Sequence, residues 1–206
     1  MSTEGGTEQG IIIIPKTLLK KVEEKGIDIE DFIINALFKE LKLDPLEAAV
    51  VRFERAKEFL REAETYLERG DPVQASEKMY KTVEECIKLL AQLYGLPEYD
   101  RALKEGRWWT QLLGKAARRI ASRLNEPKVA DVWARAYDVH VWGFHEAKYN
   151  IDDIKDDLEY IKWLLEFTEK LIKIKEKDGH LKSSQLDPRL KTIKNKPYDD
   201  EKHSLS

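Results

Sequence analysis

The sequence predicts an all-α protein, an antiparallel up-and-down helical bundle with a short N-terminal strand-helix-helix unit. Three observations support this prediction. Apolar residues recur at helical spacing along most of the chain, prolines stand at the ends of the periodic segments, and the connections between these segments are short. Because short connections make consecutive helices antiparallel, the segments at about residues 45–177 are expected to pack as one bundle.

Aspartate followed by proline marks three of the predicted helix starts. The carboxylate accepts hydrogen bonds from free backbone N–H groups, and proline has no N–H to lose at the first helical position. These pairs are Asp44-Pro45, Asp71-Pro72 and Asp187-Pro188, with Pro127 after Asn125 a looser version. The predicted helices lie at about residues 16–25, 28–42, 45–69, 72–94, 107–124, 127–149 and 152–177.

Composition divides the chain into three parts. Residues 1–43 are expected to form a dimerisation unit and residues 44–177 the helical bundle. Residues 178–206 lose apolar periodicity and gain serine, lysine, aspartate and proline, so we expect a loosely ordered polar tail.

The N-terminal unit opens with four consecutive isoleucines at residues 11–14, a β-branched run typical of a strand. A short helix ending at Gly26 and a second capped by Asp28 follow. This order resembles the ribbon-helix-helix proteins, in which two chains pair their strands. The resemblance implies a homodimer joined through residues 11–14 and through helix contacts. DNA reading is the alternative, but only Thr7 and Gln9 would extend a polar face on the strand.

Overall composition indicates where the protein is located and which kinds of partner it is expected to bind. The net charge of -3 gives no bulk attraction for nucleic acid, and the apolar run at residues 11–14 is far shorter than the ~20 residues of a membrane span. Residues 1–10 lack the features of a secretory signal, so we expect a cytoplasmic protein. Charged residues reach 36%, with Glu and Lys dominant, a bias that favours a thermophilic source. The single cysteine, Cys86, is interpreted as a small core residue.

Three motifs carry a resemblance to a known family. They are GDPVQASEKMYKTVEECIKLLAQLYG at residues 70–95, GRWWTQLL at 106–113 and HVWGFHE at 140–146. Together they resemble the archaeal PaREP repetitive family, part of the HEPN helical-bundle superfamily. The resemblance implies a HEPN-like bundle over about residues 45–177. Many HEPN proteins are metal-independent ribonucleases in which an arginine precedes a histidine by a few residues, and Arg135 and His140 match this catalytic pattern.

Two interpretations of the predicted helix at residues 127–149 remain open. In one, His140 is a proton-transfer group and Arg135 steadies phosphate charge. In the other, His140 is a core histidine on a mainly apolar face. A second stripe on the same predicted helix contains Arg135, Asp138, Trp142, His145 and Tyr149. These side chains either bind a ligand or form only an ion pair between Arg135 and Asp138.

The segment from residue 107 to residue 124 combines basic and aromatic side chains. Trp108 and Trp109 lead into a helix that bears Arg118 and Arg119. This surface would bind RNA or a nucleotide through phosphates and stacked bases, or its cations would form internal ion pairs with the acidic residues 152–157.

The sequence predicts neither a metal nor a cofactor. No histidine pair or cysteine near His140 and His145 has zinc spacing, and no Gly-rich phosphate loop or nucleophile elbow is present. Whether the protein is an enzyme is left open. The preferred function is a homodimeric interaction or accessory protein, and the alternatives are a HEPN-type metal-independent ribonuclease and an RNA- or nucleotide-binding module.

Overall fold

The computed structural model describes residues 11–180, and this part of the chain is helical and contains no strand. The all-α prediction is therefore confirmed for these residues. The helices are α1 (Lys16–Glu24), α2 (Ile29–Glu40), α3 (Pro45–Glu68), α4 (Pro72–Leu93), α5 (Pro97–Glu105), α6 (Thr110–Leu124), α7 (Lys128–Val139), a π-helical turn (His140–His145), α8 (Ile151–Ile154) and α9 (Asp157–His180).

The Asp-Pro signals mark helix starts within the described residues. Asp44 caps α3 and Asp71 caps α4, each by accepting backbone hydrogen bonds, with proline at the first turn. Asp187-Pro188 lies outside the described residues. Helix α5 was not predicted, because the residue before Pro97 is Leu96, whose side chain offers no cap.

Two predicted helices differ from those observed. The continuous helix predicted over residues 127–149 is wrong, because α7 ends at Val139 and continues as the π turn only to His145. The helix predicted over residues 152–177 is divided into α8 and α9. Asn125 ends α6 in the left-handed conformation and does not cap α7.

Helix α4 is the centre of the molecule. It packs lengthwise on α3, to which residues 69–71 join it, and it also contacts α6, α7, the π turn and α9. Its fully buried side chains include Met79, Ile87 and Leu90. Cys86 also lies in this core, and burial raises the pKa of its thiol to about 12, which agrees with its interpretation as a small core residue.

The N-terminal unit rests on this core through charged side chains. Asp31 of α2 bonds to the fully buried Arg52 of α3. Residues 11–14 have no regular secondary structure in the single chain, and Ile11 and Ile13 are each 90% exposed. Pairing of this segment between two chains stays a prediction, as do the domain boundaries at residues 43 and 177.

No helix formed by residues 11–180 has both the length and the apolar character needed to cross a bilayer.

Candidate functional site

The π turn presses against α4 at Gly143. A Cβ atom at Gly143 would overlap the hydroxyl of Ser76 and lie 2.8 Å from its Cβ, so only glycine fits at this crossing. The turn ends with hydrogen bonds of unusual span, from the N–H of Glu146 to the carbonyl of Val141 and from the N–H of Lys148 to the carbonyl of Trp142. π-helical turns of this kind are frequent at functional sites.

His140, the first residue of the turn, lies against α4. Its ring stacks on Tyr80 with the centroids 3.9 Å apart, and its Nδ1 lies 3.0 Å from Oε2 of Glu77. Both of these atoms are buried, and neither makes a well-oriented hydrogen bond within the described residues. The His140 side chain is 15% exposed, so it is neither a fully enclosed core residue nor a surface residue.

His145 lies edge-on to His140, with the ring centroids 4.4 Å apart, and is exposed. The structure therefore brings the two histidines together with Glu77 and Tyr80. Burial, followed by the charge of Glu84, raises the pKa of Tyr80, so its hydroxyl stays protonated at neutral pH. This arrangement holds one half-buried imidazole, one exposed imidazole and a carboxylate, the groups required for proton transfer.

Arg135 lies on a different side of α7. It donates a 2.7 Å hydrogen bond to Asp157, and its guanidinium lies 4.0 Å from the centroid of the Tyr160 ring. The hydrogen bond to Asp157 is the main cause that raises the pKa of Arg135. Within one chain, Arg135 is held against α9 and His140 against α4, so the two are not brought to a common partner.

The second predicted stripe is divided in the structure. Asp138 accepts a 2.7 Å hydrogen bond from the hydroxyl of Tyr149, which raises the pKa of that tyrosine, whereas Arg135 pairs with Asp157. The Arg135–Asp138 ion-pair interpretation is therefore wrong. Trp142 of the π turn is exposed.

The basic aromatic segment is mostly occupied with internal contacts. The indole N–H of Trp109 donates to Glu105, and Trp108 is half-buried. Arg119 pairs with the buried Glu98 of α5. Arg118 is exposed and bonds to the carbonyl of Gly114 at 3.5 Å.

A family model described as the archaeal PaREP1/PaREP8 family matches residues 51–165 of the chain, more than half of its 206 residues. The chain belongs to this family. The family match includes α4, α7 and the π turn, and with them Glu77, Tyr80, His140 and His145. It does not include α1 or α2.

A crystal structure of a protein from Sulfolobus solfataricus is similar to this PaREP1/PaREP8 chain. The two are 38% identical, with a TM-score of 0.51, and the similarity covers 56% of this chain and 93% of that one. A comparison of the sequence with curated proteins finds no match.

A cluster of buried charges lies between α2, α3 and α4 of this PaREP1/PaREP8 protein and was not predicted. Arg52 bonds to Asp31 and Glu85, each at 2.9 Å, and Lys88 lies 2.9 Å from Glu84 and 3.3 Å from Asp31. Arg52 is fully buried and Lys88 nearly so. Burial lowers the pKa of both cations, but the surrounding carboxylates raise it further, so both stay charged.

The sequence contained one signal for this cluster. Arg52 occupies a core position on α3, among buried Ala48, Ala49, Phe53 and Ala56. A charged residue at such a position is rarely buried unless it is paired.

Within residues 11–180, no three side chains of the types His, Cys, Asp and Glu are arranged to hold a metal ion.

Proposed function

We propose that this protein is a homodimeric interaction or accessory protein whose two chains join through the N-terminal unit. The observation that carries the proposal is the concentration of exposed apolar side chains in residues 11–41. Ile11 and Ile13 are almost fully exposed, and Leu41 is 65% exposed. The other members are Ile12, Leu18, Phe32 and Leu37. A concentration of exposed apolar side chains in one segment is typical of interaction sites in soluble proteins.

A second copy of the chain is the partner that fits this surface best. Residues 11–14 have the composition of a strand, and within residues 11–180 no backbone group forms a hydrogen bond with them. The same segment of a second chain, related by a twofold axis, would supply those bonds and cover the isoleucines. The outer side of α2, which carries Leu37, would be covered in the same assembly.

Light scattering after size-exclusion chromatography tests this assembly. The full chain is expected to elute with about twice its chain mass of 24.0 kDa. The double variant Leu37→Glu, Leu41→Glu is expected to elute as a monomer with unchanged circular dichroism, because two charges on each chain would be desolvated at the interface.

Ile174→Glu is the matched control, because Ile174 is an exposed apolar residue of α9 far along the chain from the N-terminal unit. The Ile174→Glu protein should still elute with about twice the mass of one chain. A wild-type chain that is monomeric at micromolar concentration, or a double variant that remains dimeric, would contradict the proposal.

The second candidate is a metal-independent ribonuclease of the HEPN type. Its support is the contact of His140 with His145 and with Glu77. A carboxylate beside Nδ1 favours the proton on that nitrogen and leaves Nε2 as a base for the RNA 2′-hydroxyl. Since Arg135 lies against α9, its role in steadying phosphate charge would be exercised at a cleft formed by two subunits, as the HEPN resemblance implies.

Incubation with fluorescently labelled structured and unstructured RNA in the presence of a chelator tests this candidate. Loss of His140 should reduce cleavage by at least about 100-fold, since general-base catalysis contributes about 10²–10⁴-fold. His140→Ala and Arg135→Ala are compared with Lys148→Ala, an exposed residue outside the histidine cluster. Intact RNA with the wild-type protein, or equal cleavage by His140→Ala, would remove the ribonuclease from consideration.

RNA binding without cleavage has a separate signature. Affinity would fall with rising salt and with the double variant Arg118→Ala, Arg119→Ala, because phosphate contacts release counterions. Binding that is absent or independent of salt would exclude this alternative.

A further inference from the structure

A cavity of about 650 Å³ lies between α2, α5 and the turn that follows α5. Its volume is within the range of pockets that enclose small organic molecules, about 300–1,000 Å³. Its apolar walls come from Phe32, Phe38, Leu43, Leu103 and Trp108. The proposed dimer surface at Leu37 and Leu41 does not line it.

Two side-chain amides in the cavity wall, those of Gln92 and Asn35, have hydrogen-bonding groups that could bind a ligand. Oε1 of Gln92 is buried and has no hydrogen-bond partner within the described residues. Oδ1 of Asn35 accepts a 3.0 Å hydrogen bond from Arg52, and the two N–H donors of the same amide have no side-chain or backbone partner within residues 11–180. The cavity therefore presents an acceptor that requires a donor, and a donor that can bond to a carbonyl.

Three charged residues line the cavity, Asp31, Lys39 and Arg107. The carboxylate of Asp31 lies 2.9 Å from Arg52 and 3.3 Å from Lys88. Arg107 donates a 2.9 Å hydrogen bond to the carbonyl of Gly26 and its guanidinium lies over the Trp109 ring, whereas Lys39 is exposed to solvent. A charged group placed beside Asn35 and Gln92 would lose its hydration. An uncharged ligand is therefore favoured in this part of the cavity.

We propose that this cavity binds a flat, uncharged aromatic molecule that carries a carboxamide or lactam group. The N–H of that group donates to Oε1 of Gln92, and its carbonyl accepts from the Asn35 amide. The aromatic part lies between the apolar walls, beside Trp108 and Tyr99. This inference does not depend on the ribonuclease, because it does not use the histidines. Phe32 belongs both to the cavity wall and to the exposed apolar surface proposed for the dimer, but Leu37 and Leu41, whose substitution tests the dimer, do not line the cavity.

Three probes of nearly equal shape test the chemistry in the full-length protein. 2-Naphthamide has the required N–H and carbonyl, methyl 2-naphthoate lacks the N–H, and 2-naphthoate is charged. By isothermal titration calorimetry, the amide should bind at least about tenfold more tightly than either analogue, which corresponds to about 1.4 kcal/mol, because the other two leave a buried acceptor without a donor. Equal affinity for the amide and the ester would overturn the proposal without any variant.

Gln92→Leu supplies the second measurement. It removes the unpaired acceptor, so the preference for the amide over the ester should fall to less than about threefold, while Gln111→Leu on the exposed side of α6 should keep it. An undiminished preference in Gln92→Leu would contradict the assignment of Gln92.

Two other occupants have distinct outcomes. If 2-naphthamide binds only to the Leu37→Glu, Leu41→Glu monomer, a second copy fills the cavity. If it binds only after removal of residues 181–206, the chain's own C-terminal segment fills it. Either result would overturn the proposal of a small-molecule site.

Discussion

At Gly143 the π turn and α4 approach so closely that a methyl group has no space, because its position would overlap Ser76. Replacing a helical glycine with alanine ordinarily stabilises a protein by about 0.5–1 kcal/mol. Here we expect Gly143→Ala to lower the free energy of unfolding by about 1–3 kcal/mol, the usual cost of overpacking. Urea denaturation followed by circular dichroism measures it.

Gly114→Ala is the matched control for this prediction. A Cβ at Gly114 would lie 3.0 Å from the indole nitrogen of Trp133, so a movement of a few tenths of an ångström would be enough to relieve the contact. Its effect should be smaller than that of Gly143→Ala. A Gly143→Ala protein as stable as wild type would show that the crossing can widen without cost.

Asp31 makes stability depend on pH on the acid side. Burial raises the pKa of its carboxyl, but Lys88 and Arg52 together lower it below the ordinary value of 3.8. Because the folded-state pKa is the lower one, its contribution to stability is present above about pH 4 and is lost as pH falls through the folded pKa. The pKa of Glu84 is lowered in the same way, by Lys88 and Lys81 against the effect of burial.

We therefore expect the free energy of unfolding, measured in urea between about pH 2.5 and pH 7, to fall steeply below about pH 4.5. Asp31→Asn should reduce this slope, and Asp100→Asn, at an exposed position on α5, should not. A parallel slope in wild type and Asp31→Asn would mean that Asp31 does not stabilise the fold through its charge.

At the scale of elements, the start of α3 is the best-defined boundary. The carboxylate of Asp44 accepts from the N–H groups of Leu46 and Glu47 at 2.8 and 2.9 Å, and Glu47 accepts from the N–H of Asp44. Asp44→Ala should lower the free energy of unfolding by about 1 kcal/mol, and Asp44→Ser should restore most of it. Thermal denaturation detects the difference, and equal stability of the two variants would exclude a capping role.

Local signals predicted the elements that local chemistry determines. Helices α3 and α4 begin at their Asp-Pro pairs because a cap and its helix are neighbours in sequence. The change from α-helix to π turn at residues 140–145 was not predictable from periodicity, because the turn includes the close contact of Gly143 with Ser76 on another helix. Helix α5 was missed because it starts without a capping side chain.

In the candidate site, too, neighbours in sequence were predictable and contacts between separate helices were not. The sequence indicated His140 and His145 because they are close together in one motif. Their partners Glu77 and Tyr80 come from α4, and no pattern within either segment links the two. Arg135 has the expected spacing from His140 but faces α9, since residues five apart on a helix are separated by about 140°.

At the scale of the whole molecule, the main apolar core is contained within residues 49–172 and does not require α1 or α2. We expect a chain of residues 44–206 to remain helical and cooperatively folded. It should be a monomer, and less stable than the full chain, because Arg52 and Lys88 lose the carboxylate of Asp31 and the packing of α2.

Circular dichroism, urea denaturation and light scattering on this shortened chain check the three expectations together. An unfolded fragment would show that residues 1–43 are an integral part of the bundle.

The attachment of α2 to the bundle through ions has a consequence for temperature. The hydration of charged groups becomes less favourable on heating, so the cost of removing ions from water falls, whereas apolar attraction per unit area levels off. Contacts such as those of Asp31 with Arg52 and Lys88 should therefore weaken less with heat than an apolar interface of the same size. On warming, α2 should remain attached until the bundle itself melts.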